Sequence, residues 1–279
     1  MKLSIIFFIL ISSLIFSHSA YSKGKITFIK DAVDTSAGDL ACYKIITPNG
    51  IFFLEKEGLG LSSMLDREGV DWISHHPKQG SKSNGEYRGF PNAVNNQDGS
   101  FFHPYNGGTQ PSSSHVIKES KNHISIKGVS GNNAWHCQWD FYTTHCKFTM
   151  TKMPAGYKYW VLYEGTPGGK YDDSDYYMIS AQEEQIPLTT YYDHDIPAPE
   201  WIAFGDRNFN RILFMANHKD DKLPDKFWQM NKQMTVFGFG RDGLTKFFDV
   251  VPREFSIGFI ESADHRKINK ELHKIVKFE

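Results

Sequence analysis

Apolar and polar positions alternate in short runs along most of the chain. KITFIK, ACYKIITP, IFFLEK, GLSSMLD and VDWIS come first, and HVIKE, HISIKGV, AWHCQWDFY, CKFTMTKM and YKYWVLYEG follow a long polar gap. EWIAFGD, RILFMANH, MTVFGFG and EFSIGFIE complete the series. Short runs of this kind, rich in β-branched and aromatic residues and bounded by turn formers, predict strands. Asn49-Gly50 predicts a tight hairpin between two of them, because both residues accept positive φ. Only SADHRKINKELHKIV carries a helical stripe, Ile268, Leu272 and Ile275, with Ser262 as the expected N-cap.

Many strands, short connections and almost no helix predict an all-β fold. The expected architecture is a large antiparallel two-sheet β-sandwich with long loops over one face and a short C-terminal helix. No blade-length repeat is present, which argues against a propeller. AWHCQWDFY shows how such a strand divides its faces. Trp135, Trp139 and Phe141 share one parity and are expected in the core, whereas His136, Gln138, Asp140 and Tyr142 share the other and are expected toward a cleft.

The polar gap runs from His75 to Ser114. Loops longer than about 12–15 residues are uncommon in compact domains and are usually functional or disordered. Phe90, Phe101, Phe102 and Tyr105 give this one anchors to pack with, so an ordered loop lining a site is expected. It carries Glu86, Tyr87, Arg88 and Asn92 in EYRGFPN, and His103 between two Phe residues and Pro104.

The first residues change the picture of where the protein works. One Lys, an apolar run from Ile5 to Phe16 and then Ala20-Tyr21-Ser22 have the layout of a signal peptide cleaved after Ser22. The run falls short of the roughly 20 residues a membrane span needs. The expectation is a signal peptide over 1–22, then a single β-sandwich domain over 23–279, exported to the periplasm or secreted, without a membrane anchor. With 31 basic and 32 acidic residues, no global field recruits nucleic acid or a membrane surface. Aromatic residues make up 15% of the chain, which suits a carbohydrate partner and equally a thick β core. The three cysteines, Cys42, Cys137 and Cys146, leave at least one thiol free in a monomer. A tight turn at Thr143-Thr144 would set Cys137 opposite Met150 rather than Cys146, and a bridge between the two cysteines stays open.

GLSSMLD-REG-VDWI resembles the early hairpin of galactose-mutarotase-like β-supersandwich proteins. The ordered blocks EYRGFPN, FHPYNGGTQ, WDFY, LYEGTPGG, PEWIAFGD, NHKDD and MTVFGFGR resemble an exported bacterial group associated with polysaccharide degradation. Together these blocks span most of the chain. The resemblance implies a supersandwich fold and a carbohydrate substrate.

The chemistry expected on that scaffold starts from Arg88, whose planar fork matches a carboxylate. Breaking a polyuronate by β-elimination requires neutralising the sugar carboxylate, removing the proton beside it and protonating the leaving oxygen. A polysaccharide lyase acting on an acidic polysaccharide or oligosaccharide is therefore the leading expectation. Arg88 and Asn92 are expected on the carboxylate, His103 or His218 as base, with Asp220 and Asp221 orienting His218, and Tyr142 in proton transfer. Glu86, Tyr87, His115, Gln138, Glu164 and Arg241 are expected to line the substrate. Two rivals stay open: a glycoside hydrolase or sugar epimerase working through Glu86 and Glu164, and a glycan-binding protein without catalysis. No cofactor is expected. Asp172, Asp173 and Asp175 offer oxygen ligands to Ca²⁺ but lack the EF-hand spacing, so solvated charge is the default and no metal site is assigned. No GxSxG, HExxH or metal-type Cys pattern occurs, which disfavours the common serine and zinc hydrolases.

Overall fold

The computed structural model describes residues 24–76, 88–94, 99, 101–104, 110–230 and 232–278. The expected signal peptide, Glu86 and Tyr87 lie outside them. β1 (Thr27–Asp34), β2 (Leu40–Ile46), β3 (Ile51–Glu55) and β4 (Leu61–Leu65) pair in chain order as an antiparallel meander. A second meander follows: β5 (Ser113–Glu119), β6 (His123–Val129), β7 (His136–Tyr142) and β8 (Cys146–Lys152). Next come β9 (Val161–Gly165), β10 (Asp175–Ile179), β11 (Gln182–Pro187), β12 (Trp201–Asp206) and β13 (Ile212–Asn217). β14 (Lys226–Met230), β15 (Met234–Phe239), the two-residue pair β16 (Arg241–Asp242) and β17 (Thr245–Lys246), and β18 (Arg253–Ile260) precede the helix α1 (His265–Ile275).

One sheet has nine strands in the order β11-β10-β12-β13-β18-β8-β7-β6-β5, and a smaller one runs β14-β15-β9. The polar gap closes the second layer. Residues 89–91 act as an extra strand between β4 and β9. The Leu61 amide donates to the Phe90 carbonyl at 2.7 Å, and Gly89 and Glu164 exchange both backbone bonds, at 2.8 and 3.0 Å. The Leu162 amide adds a bond of 2.7 Å to the Pro91 carbonyl. Through this strap the first meander, β9, β15 and β14 form one layer facing the nine-stranded sheet.

Aromatic rings fill the space between the layers. Phe52 of β3 meets Phe141 of β7 at 5.7 Å, Tyr163 of β9 meets Phe204 of β12 at 5.3 Å, and Phe239 of β15 meets Phe255 of β18 at 6.0 Å between ring centres. Trp135, Trp139 and Phe141 are fully buried here, as their parity predicts, and burying a side chain of this size is worth on the order of 3 kcal/mol. The opposite face of the nine-stranded sheet takes α1, whose Ile268 and Leu272 pack on Trp201, Phe214 and Ile260.

Several local expectations are corrected. The β2–β3 turn forms without positive φ at Asn49 or Gly50. Thr47 Oγ1 accepts the amides of Asn49 and Gly50 at 3.0 and 3.1 Å instead. Asn49 spends its carboxamide on β18, donating to the Phe259 carbonyl at 2.7 Å and accepting the Phe259 amide at 2.9 Å. Gly50 is required there by contact, since a Cβ would lie 2.6 Å from the Leu65 carbonyl oxygen. The N-cap of α1 is Asp264, which accepts the Lys267 amide at 2.9 Å, while Ser262 accepts the amide of Asp264 itself. Cys137 pairs in register with Met150, and all three cysteines are free thiols buried in the core. β10, β11 and β14 were not resolved as separate strands in the sequence pattern.

Candidate functional site

The strap places chemistry on both of its sides. Adjacent residues of an extended segment point to opposite faces, so Tyr163 enters the core and Glu164 turns outward. Glu164 is 4% exposed, yet it is a carboxyl with one donor and one positive charge acting on it. Asn92 Nδ2 donates a short hydrogen bond to Glu164 Oε2, and the Arg241 guanidinium acts on the same group. Burial dominates over both and pushes the Glu164 pKa up to about 7. Arg241 is itself buried, and its Nη1 has no hydrogen-bond partner among the described residues. Its guanidinium lies 5.6 Å from the Trp160 ring centre, and the Lys246 ammonium sits 4.3 Å from the same ring. The Trp160 indole N–H fixes the strap by donating to the Asn92 carbonyl at 2.7 Å.

Asn92 holds φ at +43°, a left-handed conformation that a non-glycine residue adopts at a cost and that recurs at functional sites. Its Oδ1 is buried without a hydrogen-bond partner among the described residues. Gly89 has no room for a side chain, because a Cβ would lie 2.5 Å from Pro104 Cδ and 3.5 Å from the His103 ring. His103 is thus packed against the strap beside the Glu164 pairing. It meets His75 edge-on at 5.8 Å, and His75 Nδ1 bonds the Arg88 carbonyl at 2.7 Å. Burial first, and His103 second, depress the His75 pKa to about 3, so its imidazole is neutral at ordinary pH.

Arg88 points away from Asn92. Its guanidinium donates to the carbonyls of Ser74 at 3.3 Å and Gln233 at 3.1 Å, and its Nε has no partner among the described residues. It borders a cavity of about 340 Å³ with Thr166, Lys170, Tyr171 and Lys232. Arg88 and Asn92 therefore do not converge on one carboxylate; the strap separates them.

His218 and Tyr142 lie elsewhere. β7 alternation turns Tyr142 to the outer face of the nine-stranded sheet, where it shares a cavity of about 310 Å³ with His145, Lys147, His218 and Glu254. His218 is held by Ser256 at 2.8 Å and Glu254 at 3.4 Å, not by Asp220 or Asp221; Asp221 pairs with Arg253. Burial first, and Asp140 second, raise the Tyr142 pKa, the reverse of what an activated phenol requires. The layers of a sandwich stand about 10 Å apart, so His218 and Tyr142 cannot pass protons to a group bound at Glu164. Gln138 donates to Asp140 at 3.0 Å on this same outer face, and His115 is exposed on the edge strand β5.

The sequence expectation placed Arg241 as a substrate contact and Glu164 as a substrate contact or, in the hydrolase or epimerase alternative, a working carboxyl, and missed Trp160, Lys246 and His75. Nothing in the spacing could pair Asn92 with Glu164, since the strap alone joins them. The acidic run is also redrawn. The carboxylates that gather within 4.8 Å are Asp172, Asp175 and Asp206, with Asp206 in place of Asp173.

No protein-family model matches the chain, and no curated protein matches it. Among solved structures, a crystallographic candidate aldose 1-epimerase from Klebsiella pneumoniae subsp. pneumoniae MGH 78578 aligns over 92% of this chain and 93% of its own, at 12% identity and a TM-score of 0.49. The crystal structure of HI1317 aligns over 85% of this chain and all of its own, at 14% identity and a TM-score of 0.55. The likeness to HI1317 is one of fold, and that fold is the large antiparallel two-sheet sandwich that the mutarotase-like resemblance implies.

Proposed function

We propose that the protein is an exported carbohydrate-active enzyme that cleaves a uronate-containing polysaccharide by β-elimination at the strap. The observation that carries this reading is the convergence of Asn92 and Arg241 on Glu164, a buried carboxyl poised near pH 7. Such a carboxyl exists in both protonation states at the working pH, which is what proton transfer asks of an acid or base. The unpartnered Arg241 Nη1 and the Asn92 carboxamide would take the uronate carboxylate and stabilise the enolate as the α proton leaves. A base, for which His103 packs against the strap at Gly89, takes that proton. The glycosidic C–O bond then breaks, a carbon–carbon double bond forms, and Glu164 protonates the departing oxygen. The leader run Ile5–Phe16 supports export.

A sugar epimerase is the second reading, favoured by the same Glu164 near the neutral imidazole of His75, since opening and closing a sugar ring also needs one acid and one base. The deciding experiment is to incubate the purified chain with a panel of uronate polymers and follow the ultraviolet absorbance of the unsaturated uronate. Growth of that absorbance, lost in Glu164→Gln, is expected. New reducing ends without it would move the case to hydrolysis. Interconversion of free aldose anomers without either would favour the epimerase.

A further inference from the structure

A second cavity, of about 400 Å³, adjoins the Arg88 pocket and shares Tyr171 and Lys232 with it. Asp172, Asp173 and Asp175 line it. Asp175 opens β10 and Asp206 ends β12, and the two stand opposite each other in register. Asp172, in the loop before β10, completes a group in which one oxygen from each residue lies within 4.8 Å of the others.

The hydrogen bonds given to the three carboxylates fall on one oxygen of each. Asp172 Oδ1 accepts the amide and hydroxyl of Ser174 at 2.9 and 2.5 Å. Asp206 Oδ1 accepts the Asn208 amide and the same hydroxyl, both at 2.7 Å. Asp175 Oδ2 accepts the Asp172 amide at 3.0 Å. Asp175 lines the cavity although it is only 1% exposed, and its Oδ1 is buried with no hydrogen-bond partner among the described residues. A buried carboxylate oxygen without a donor is costly, and native structures normally match it with a donor or a cation.

Among the described residues no cation forms an ion pair or hydrogen bond with Asp175, although the Arg207 charge acts on it at longer range. Arg207 lines the cavity, but its guanidinium donates to the carbonyls of Asp173 and Ser174, at 3.4 and 3.5 Å, and lies over the Tyr176 ring at 5.6 Å. Lys170 reaches only Asp172, at 3.7 Å, from an exposed position. The donor set is all oxygen, with neither thiolate nor imidazole, which selects a hard ion over zinc or copper. The ligands sit on a loop and two strand ends, and the cavity leaves room for water, which suits the high and flexible coordination number of calcium.

We propose that Asp172, Asp175 and Asp206 hold a hard divalent cation of the calcium class beside this cavity. The site stands independently of the reaction assigned to Glu164. Its test is to strip the purified chain with a chelator and titrate it with CaCl₂ by calorimetry and thermal unfolding, with NaCl at matched ionic strength as control. One saturable site is expected, with a Kd no weaker than about 1 mM and a rise of several degrees in Tm at saturation. Asp175→Asn and Asp206→Asn should each weaken binding by at least about tenfold, as loss of a charged ligand does. Absence of saturable heat and Tm shift up to about 10 mM, well above the range of weak extracellular calcium modules, would overturn the proposal. So would an equal shift with NaCl, or calcium affinity unchanged in both variants. Should one variant fail to fold, the wild-type titration and the other variant still decide.

Discussion

The carboxamide of Asn92 donates to the carboxylate of Glu164 across 72 residues of sequence, and Asn92 holds a left-handed backbone conformation where it does so. That bond and the Arg241 charge favour the ionised form of Glu164, whereas burial favours the neutral form and prevails. The result is a carboxyl balanced between its two states.

Glu164→Gln keeps the shape and the Asn92 contact but removes the proton exchange. Activity on the proposed uronate substrate is expected to fall by about 10²- to 10⁴-fold, the usual contribution of a positioned acid or base. A loss below threefold would remove Glu164 from the chemistry.

The same variant has a stability signature. Glu164 binds its proton more tightly when folded, since its pKa rises from 4.5 to about 7. Its protonation therefore supports the fold fully below pH 4.5, and that support is lost as pH rises through about 7. Glu164→Gln escapes the loss. Its stability relative to wild type should climb across that window, by at most about 3 kcal/mol, and level off above it. Denaturant melts at several pH values check this, and a flat difference would contradict the burial argument.

Arg241 draws the Glu164 pKa down. Arg241→Gln should raise it further and move the acid–base limb of the pH–rate profile toward alkaline pH. Arg241→Lys should restore the limb while weakening substrate binding, because an ammonium lacks the planar fork. Carboxyl carbon shifts by NMR, with Glu164→Gln assigning the resonance, provide the readout.

Arg211 carries a structural load away from the strap. It bonds both oxygens of Glu261 at 2.9 Å, reaches Asp66 at 2.8 Å and pairs with Glu68, while Asp66 also accepts the Trp72 indole at 3.0 Å. Arg211→Met leaves the fully buried Asp66 without its counter-ion. A cost of about 3–5 kcal/mol is expected by chemical denaturation, with the fold otherwise retained.

Burial raises the pKa of all three thiols, to about 12 for Cys42. The thiolate is the reactive form, so a thiol reagent should label none of the three in the native protein and all three in denaturant. Reducing agent should leave Tm unchanged. Labelling of native Cys42 would show that its strand opens.

The parts legible in sequence were those with a period. The alternation through β7 sorted Trp139 inward and Tyr142 outward, and a two-residue turn set Cys137 opposite Met150. EYRGFPN contains the residues that form the strap, but nothing in it shows how they pair. Residues 89–91 are three positions ending in Pro91, too few to show an alternation, and their pairing comes from β4 and β9. His218 looked like a partner for Arg88 because both carry chemistry; which layer each strand joins is a tertiary fact. Asn49 was read as a turn former, but its side chain serves β18.

The strap has a consequence for assembly. The layer it closes draws on β4, β9 and β15, so its backbone bonds join partners far apart along the chain. Contacts of that kind are slow to form because long loops must close first. Each half-layer can pair within itself before residues 89–91 zip the seam. Asn92 reaches Glu164 only once the seam is shut, so the acid–base centre belongs to the completed molecule and is absent from either half.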